Sequence, residues 1–189
     1  MAGPQIVFSA DGVHVVSVKT ESGTQRDRPR AQARQAIAEV LSELLRVPAS
    51  AISVQSTPGQ APRITVDGAA PGLIGGSFSH EAGLSLAAIN LHGAVGVDIM
   101  RVADVTDWHD ISRDYLGPQV TAALLPLPAA DRPRAFTQAW AAHEARLKCL
   151  GLQLTEWRPA APSSPDSLPL QLPTGFVGAL AYICRNKCT

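Results

Sequence analysis

No charge of either sign dominates this chain: 16 Lys and Arg stand against 16 Asp and Glu. That balance excludes a global field drawing the protein to nucleic acid, so any polyanion site must be a local cluster. No apolar run approaches the about 20 residues of a membrane-spanning helix. The N-terminus lacks the basic segment and long apolar stretch of a secretory signal. No membrane association is expected, and the reading is of a soluble, cytoplasmic protein. Cysteine is sparse: Cys149, Cys184 and Cys188 are odd in number and have no metal-type spacing. They read as reduced thiols rather than a disulfide framework or a zinc site. What is plentiful is apolar residues, at 46%, together with 15 Gly and 15 Pro. The 189 residues therefore suffice for one large domain or two small halves with a real core and many turns.

Along the chain, Gln5-Ile-Val-Phe-Ser and Val13-His-Val-Val-Ser-Val read as two strands. Asp11-Gly12 joins them as a type I′ hairpin turn, both residues needing positive φ. Thr20 to Arg30, with Arg26, Arg28 and Arg30, reads as a polar loop. From about Pro29, Ile37, Val40, Leu41, Leu44 and Leu45 recur at helical spacing until Pro48 ends the run. Ile52–Val54 and Ile64–Val66 are short strands, and 71–76 is a Gly-rich loop. Leu84–Leu91 and Ala94–Ile99 read as neighbouring strands. Residues 108–125 hold two short helices broken at Gly117-Pro118, and Arg134–Leu150 is the second long helix, stopped by Gly151. Arg158–Pro169 is an exposed loop and Phe176–Ile183 a last strand. The fold class is α+β: two similar α/β halves, 1–94 and 95–189, each with a small, mostly antiparallel sheet on one long helix.

Three stretches carry chemistry. In Val95-Gly-Val-Asp98-Ile-Met, a lone acid emerges from an apolar strand. Burying it unpaired costs several kcal/mol, so it either caps a turn or meets a cation or metal. In Phe136-Thr-Gln-Ala-Trp140-Ala-Ala-His143-Glu144-Ala-Arg-Leu-Lys148, the residues Trp140, Glu144 and Lys148 share one helix face. On a solvated surface that is an i,i+4 ion pair of about 0.3–0.5 kcal/mol. In line with Phe136 and Trp140, it is a partly enclosed site instead. Ser77-Phe-Ser79-His80 follows the Gly-rich loop, where a loop Ser and His either satisfy local polar groups or donate to a phosphate.

Together these resemble the 4'-phosphopantetheinyl transferases, specifically the monomeric, double-length type that activates surfactin synthetase and other peptide and polyketide synthases. The resemblance rests on Ser79-His80, then Gly96-Val97-Asp98-Ile99-Met100, then Trp140-Ala-Ala-His143-Glu144-Ala-Arg-Leu-Lys148, with Asp98 and Glu144 separated by 46 positions. It runs from about residue 30 to residue 152, and more faintly to the last strand. It implies a pseudo-dimer of the two halves with coenzyme A in the cleft between them. The implied reaction moves phosphopantetheine from coenzyme A to a serine of an apo acyl or peptidyl carrier protein, releasing 3',5'-ADP. It implies Mg²⁺ held by Asp98 and Glu144, since Mg²⁺ takes few carboxylates and keeps waters and substrate phosphates. A carboxylate 4 Å from a phosphate oxygen would otherwise face a repulsion of about 4 kcal/mol at an effective dielectric near 20.

In the same scheme Glu144, or a water it orients, is the base. Lys148 stabilises charge on the diphosphate. Ser79, His80 and Arg34 hold coenzyme A phosphate, with Arg28 and Arg30 as helpers or as a solvated basic loop. The pathways implied are polyketide, non-ribosomal peptide and fatty acid biosynthesis. Departures from the family pattern are Met100 where a second acid is common, His143 where a Lys precedes the Glu, and Gly59-Gln60-Ala61-Pro62 in place of a Gly-Lys-Pro. His143 then faces coenzyme A with a pH-dependent charge, and Arg63 supplies the cation missing at Gln60. These departures keep open a non-catalytic coenzyme A or carrier-protein binding module on the same fold. Residues 112–134, with Arg113, Arg132 and Arg134, are the expected carrier-docking face, and a monomer is expected.

Overall fold

The computed structural model describes residues 4–20, 27–57, 59–69, 72–159 and 164–183. Cys184 and Cys188, parts of the 20–30, 71–76 and 158–169 loops, and the Arg28 side chain lie outside that set. The chain is α+β. A hairpin, β1 (Gln5–Ala10) and β2 (Val13–Lys19), turns through Asp11 and Gly12 at φ 51° and 75°, as the Asp-Gly signal predicts. Helix α1 (Asp27–Leu45) follows, beginning inside the stretch expected to be a loop. A small hairpin, β3 (Ile52–Gln55) with β4 (Arg63–Val66), precedes β5 (Gly75–Glu81) and β6 (Leu84–Asn90).

Strand β7 (Val95–Arg101) then leads to α2 (Trp108–Ile111), a π-helical turn over Ser112–Leu116, α3 (Pro118–Leu124) and the long α4 (Arg132–Leu150). β8 (Ser167–Pro169) and β9 (Phe176–Tyr182) complete the fold. Gly151, at φ 67°, ends α4: its N–H donates to the Lys148 carbonyl and that of Leu152 to Leu147. This is the paired-bond cap that a left-handed glycine permits.

The strands form a four-stranded antiparallel sheet ordered β1-β2-β6-β5, a three-stranded one ordered β7-β9-β8, and the β3-β4 hairpin. β6 and β7, consecutive in sequence, do not pair; each belongs to a different sheet. This corrects their reading as sheet neighbours. The reason lies in β6, which is buried along its whole length. Ala87 and Ile89 face α1 through Ile37, Leu41 and Ala33, while Leu84, Leu86 and Ala88 face Val95, Val97, Ile99 and Leu180 of the other sheet. Both faces are thus covered, and both edges are already paired, with β2 and with β5, so β7 turns away and pairs with β9.

The buried face that helix α4 lays on the second sheet is made of small residues. Ala141, Ala145 and Cys149 meet Val177, Ala179 and Ala181. At Gly96 a Cβ would run into the Ala145 carbonyl and the Cys149 amide, so glycine there lets helix and strand backbones touch.

Candidate active site

The two sheets meet along β5 and β7, and what joins them is side chain rather than ladder. Val97 N–H donates to Ser77 Oγ at 3.0 Å, Ile99 N–H to Ser79 Oγ at 3.2 Å and Arg101 N–H to Glu81 Oε2 at 3.3 Å. Alternate residues of β5 point to one face, so Ser77, Ser79 and Glu81 form a row that satisfies donors an unpaired β7 edge would leave stranded. Ser77 and Ser79 are therefore buried strand residues of the seam rather than loop residues.

Asp98 sits in this seam, only 6% exposed. Its Oδ1 accepts two hydrogen bonds, from Ser79 Oγ at 2.7 Å and from Lys148 Nζ at 2.7 Å. Lys148 also donates to the Val97 carbonyl at 3.2 Å. The close approach at Gly96 makes this possible: with α4 flush against β7, a lysine in the last turn of the helix reaches a buried carboxylate two residues along the strand. Glu144, one turn earlier on α4, has its carboxyl pKa raised, first by burial and then by the negative charge of Asp98, with Lys148 opposing.

Glu144 and Lys148 line a cavity of about 710 Å³ whose other walls include Gln60, Pro62, Phe78, Leu152 and Leu154. Asp98 is not part of that wall, whereas Lys148, which is bonded to it, is. A second cavity, of about 300 Å³, shares Gly59, Gln60 and Phe78 with the first and carries Arg30, Arg34, Ser56, Thr57 and His80. Arg34 Nη1 donates to Ser56 Oγ at 2.9 Å. The rings of Phe78 and His80 stack at 6.3 Å between centroids. His80 Nδ1 is bonded to Ser85 Oγ at 2.8 Å. Although the residue is exposed at its outer edge, its pKa falls to about 4, through desolvation of the inner edge and then the charges of Arg30 and Lys148. The imidazole is neutral at pH 7 and enters the pocket as a hydrogen-bonding group rather than a cation.

Of the expected residues, the fold brings Asp98, Glu144 and Lys148 together, and gathers His80 with Arg34 and Arg30 next door. Three other expected residues stand outside both cavity walls. Ser79 is spent on Asp98 and on the Ile99 amide and lines neither cavity. Arg63 is exposed on β4, outside both cavity walls, because strand alternation turns its neighbours Pro62 and Ile64 inward. His143 is half-buried beside Trp140 on a different face of α4, its Nε2 enclosed without a partner among the described residues and its pKa lowered by burial and by Arg146. On the expected docking face, Arg113 is tied to Asp110 and Asp114, and Arg132 lies over the Trp108 ring at 4.9 Å. Arg134 alone of the three is free of such a partner among the described residues. Ser77 and Gln60 were missed as site residues. The period-two polar row Ser77, Ser79, Glu81 was the signal available for the first.

Among the described residues no three His, Cys, Asp or Glu side chains gather as a metal cluster. The donor chemistry nevertheless fits a hard divalent ion bound through two carboxylates. No described residue donates a hydrogen bond to Asp98 Oδ2 or to Glu144, and the mutual repulsion that raises the Glu144 pKa is what a cation between them relieves. Met100 packs with Ala142 and Val102 against α4 and adds no ligand.

Residues 94–174 match the family model described as the 4'-phosphopantetheinyl transferase superfamily. The matched span opens at β7 and closes after β8, so it holds Asp98, Glu144 and Lys148 but neither His80 nor Arg34. No curated protein matches the chain.

Proposed function

We propose that this chain transfers the 4'-phosphopantetheine group of coenzyme A to a serine of an apo acyl or peptidyl carrier protein, releasing 3',5'-ADP. The observation that carries the reading is the pair of joined cavities: a basic one with Arg30, Arg34 and His80, sharing a wall with one that presents Glu144 and Lys148 in front of Asp98. Coenzyme A is an elongated polyanion with a 3'-phosphate at one end of its nucleotide and a diphosphate at the other. Arg30 and Arg34 suit the former, and Lys148 the latter. The residues before β7 and those from β7 onward would act as two halves around one cleft, within a monomeric cytoplasmic protein.

In the transfer, the carrier serine oxygen bonds to the β-phosphorus while the bond from that phosphorus to the bridging oxygen breaks. The electron pair leaves with 3',5'-ADP. Glu144, whose basicity is raised by burial and by Asp98, takes the serine proton directly or through a water. Lys148 balances charge growing on the diphosphate oxygens, and the walls hold the groups in line, which is most of what such a reaction requires. A Mg²⁺ held by Asp98 and Glu144 would neutralise diphosphate charge.

The second reading, a coenzyme A or carrier-protein binding module without turnover, is favoured by the closure of Asp98 Oδ1 by Lys148 and by Gln60 standing in the cavity wall without a charge. Incubation with coenzyme A, Mg²⁺ and a panel of apo carriers decides between them. A mass gain of one phosphopantetheine on the carrier is expected. Calorimetric binding of coenzyme A without any mass gain across the panel would establish the module instead.

A further inference from the structure

Resting on the reading above that Asp98 and Glu144 receive a divalent ion, we infer that Lys148 is the resident counter-ion of that site, competing with the metal for Asp98. Three observations support this. First, the Lys148 ammonium lies 2.7 Å from Asp98 Oδ1, a charge-assisted bond, and its second bond to the Val97 carbonyl holds it there. Second, Ser79 donates to the same oxygen, so with both donors in place only Oδ2 is open, and an ion there would sit beside the positive charge of the ammonium. Third, Lys148 lines the large cavity and Asp98 does not, so the route from solvent to the carboxylate passes the lysine. A buried carboxylate needs a compensating positive charge at all times. Lys148 provides it in the metal-free protein and holds the Asp98 carboxylate in a fixed orientation.

With an ion held by Asp98 and Glu144, Lys148 would no longer be needed as the compensating charge. Its ammonium, which lines the cavity, would then be available to an anionic oxygen of a diphosphate. Lys148 thus couples occupation of the metal site to readiness of the anion site. Ser79 is the positioning residue that keeps the carboxylate in place during the exchange, because its bond to Asp98 is neutral and costs the ion nothing in charge.

The experiment is Mn²⁺ titration of the full chain without substrate, read by the loss of free-ion EPR signal. Lys148→Met is expected to bind Mn²⁺ at least ten-fold more tightly than the parent. Arg146→Gln, which removes the same charge from the same helix beside Ser167, should change affinity by less than two-fold. Lys148→Gln retains a donor toward Asp98 and covers the case in which Lys148→Met fails to fold. In the parent chain, Mg²⁺ should also shift the ¹⁵Nζ resonance of Lys148 and speed its proton exchange. Affinity in the lysine variants equal to or below that of the parent overturns the inference, as does an Arg146→Gln gain as large as theirs. If carrier loading proceeds while the lysine variants show no gain, this inference alone fails. If no form binds Mn²⁺, the metal assignment of Asp98 and Glu144 falls with it.

Discussion

At the scale of single residues, Ser79 serves two masters: its hydroxyl accepts the Ile99 amide of one sheet and donates to Asp98. Ser79→Ala strands a buried N–H and loosens the carboxylate, and a loss of about 1–3 kcal/mol in chemical denaturation is expected. A loss below about 0.5 kcal/mol would mean that the seam between the sheets is satisfied in another way. His80 allows a prediction in pH. Its folded pKa, about 4, lies below the ordinary 6.5, so the folded chain binds fewer protons than the unfolded one between those values. The associated stability is whole above pH 6.5 and is lost as pH falls toward 4. His80→Gln should therefore show a shallower decline of melting temperature across that window than the parent. Parallel curves for the two proteins would place the ring in water.

At the scale of elements, the contact of α4 with β7 decides whether a site exists. The helix is amphipathic in the ordinary way, and its stop at Gly151 is local chemistry. Its distance from the strand, however, is set by Gly96 opposite Ala145 and Cys149. Gly96→Ala forces the two backbones apart and is expected to cost about 1–3 kcal/mol or more. It should also lengthen the Lys148–Asp98 contact, so coenzyme A binding by calorimetry should weaken even at temperatures where the variant is folded. Unchanged melting temperature and affinity would show that the helix adjusts without cost. On the other side of the site, β5 was read as loop because Gly75, Gly76 and two serines suggest a turn. Its pairing with β6, from Gly75 opposite Asn90 to Glu81 opposite Leu84, overrides that local preference.

At the scale of the whole molecule, one core binds the two sheets. Val13, Val15, Leu84, Leu86 and Ala88 pack with Val95, Val97, Ile99, Leu170 and Leu180. Asn90, fully buried, adds polar ties to the carbonyls of Ala94 and Ile183 at 3.0 and 3.1 Å. Neither sheet can keep its inner face covered alone, so the chain should unfold as one unit. Trp108, Trp140 and Trp157 all lie after β7, whereas α1 lies before it. Urea transitions followed by tryptophan fluorescence and by far-ultraviolet circular dichroism should therefore coincide. Two separated transitions would make the halves independent and remove the shared core as the organising feature.

Local chemistry is what the sequence by itself determined. The Asp11-Gly12 turn, the two long helices, the break at Gly117-Pro118, the stop at Gly151 and the shared helix face of Glu144 and Lys148 are all legible because turn conformation, helical period and residue type are properties of neighbours along the chain. Partnership was not legible. That Ser79 faces Asp98 instead of a cavity, that Arg63 and His143 stand apart from the groove, that β6 and β7 part company, and that Lys148 covers the buried carboxylate were decided only by the tertiary structure. Strand pairing and helix approach join residues far apart in sequence, and which polar groups meet depends on which apolar faces need to be covered.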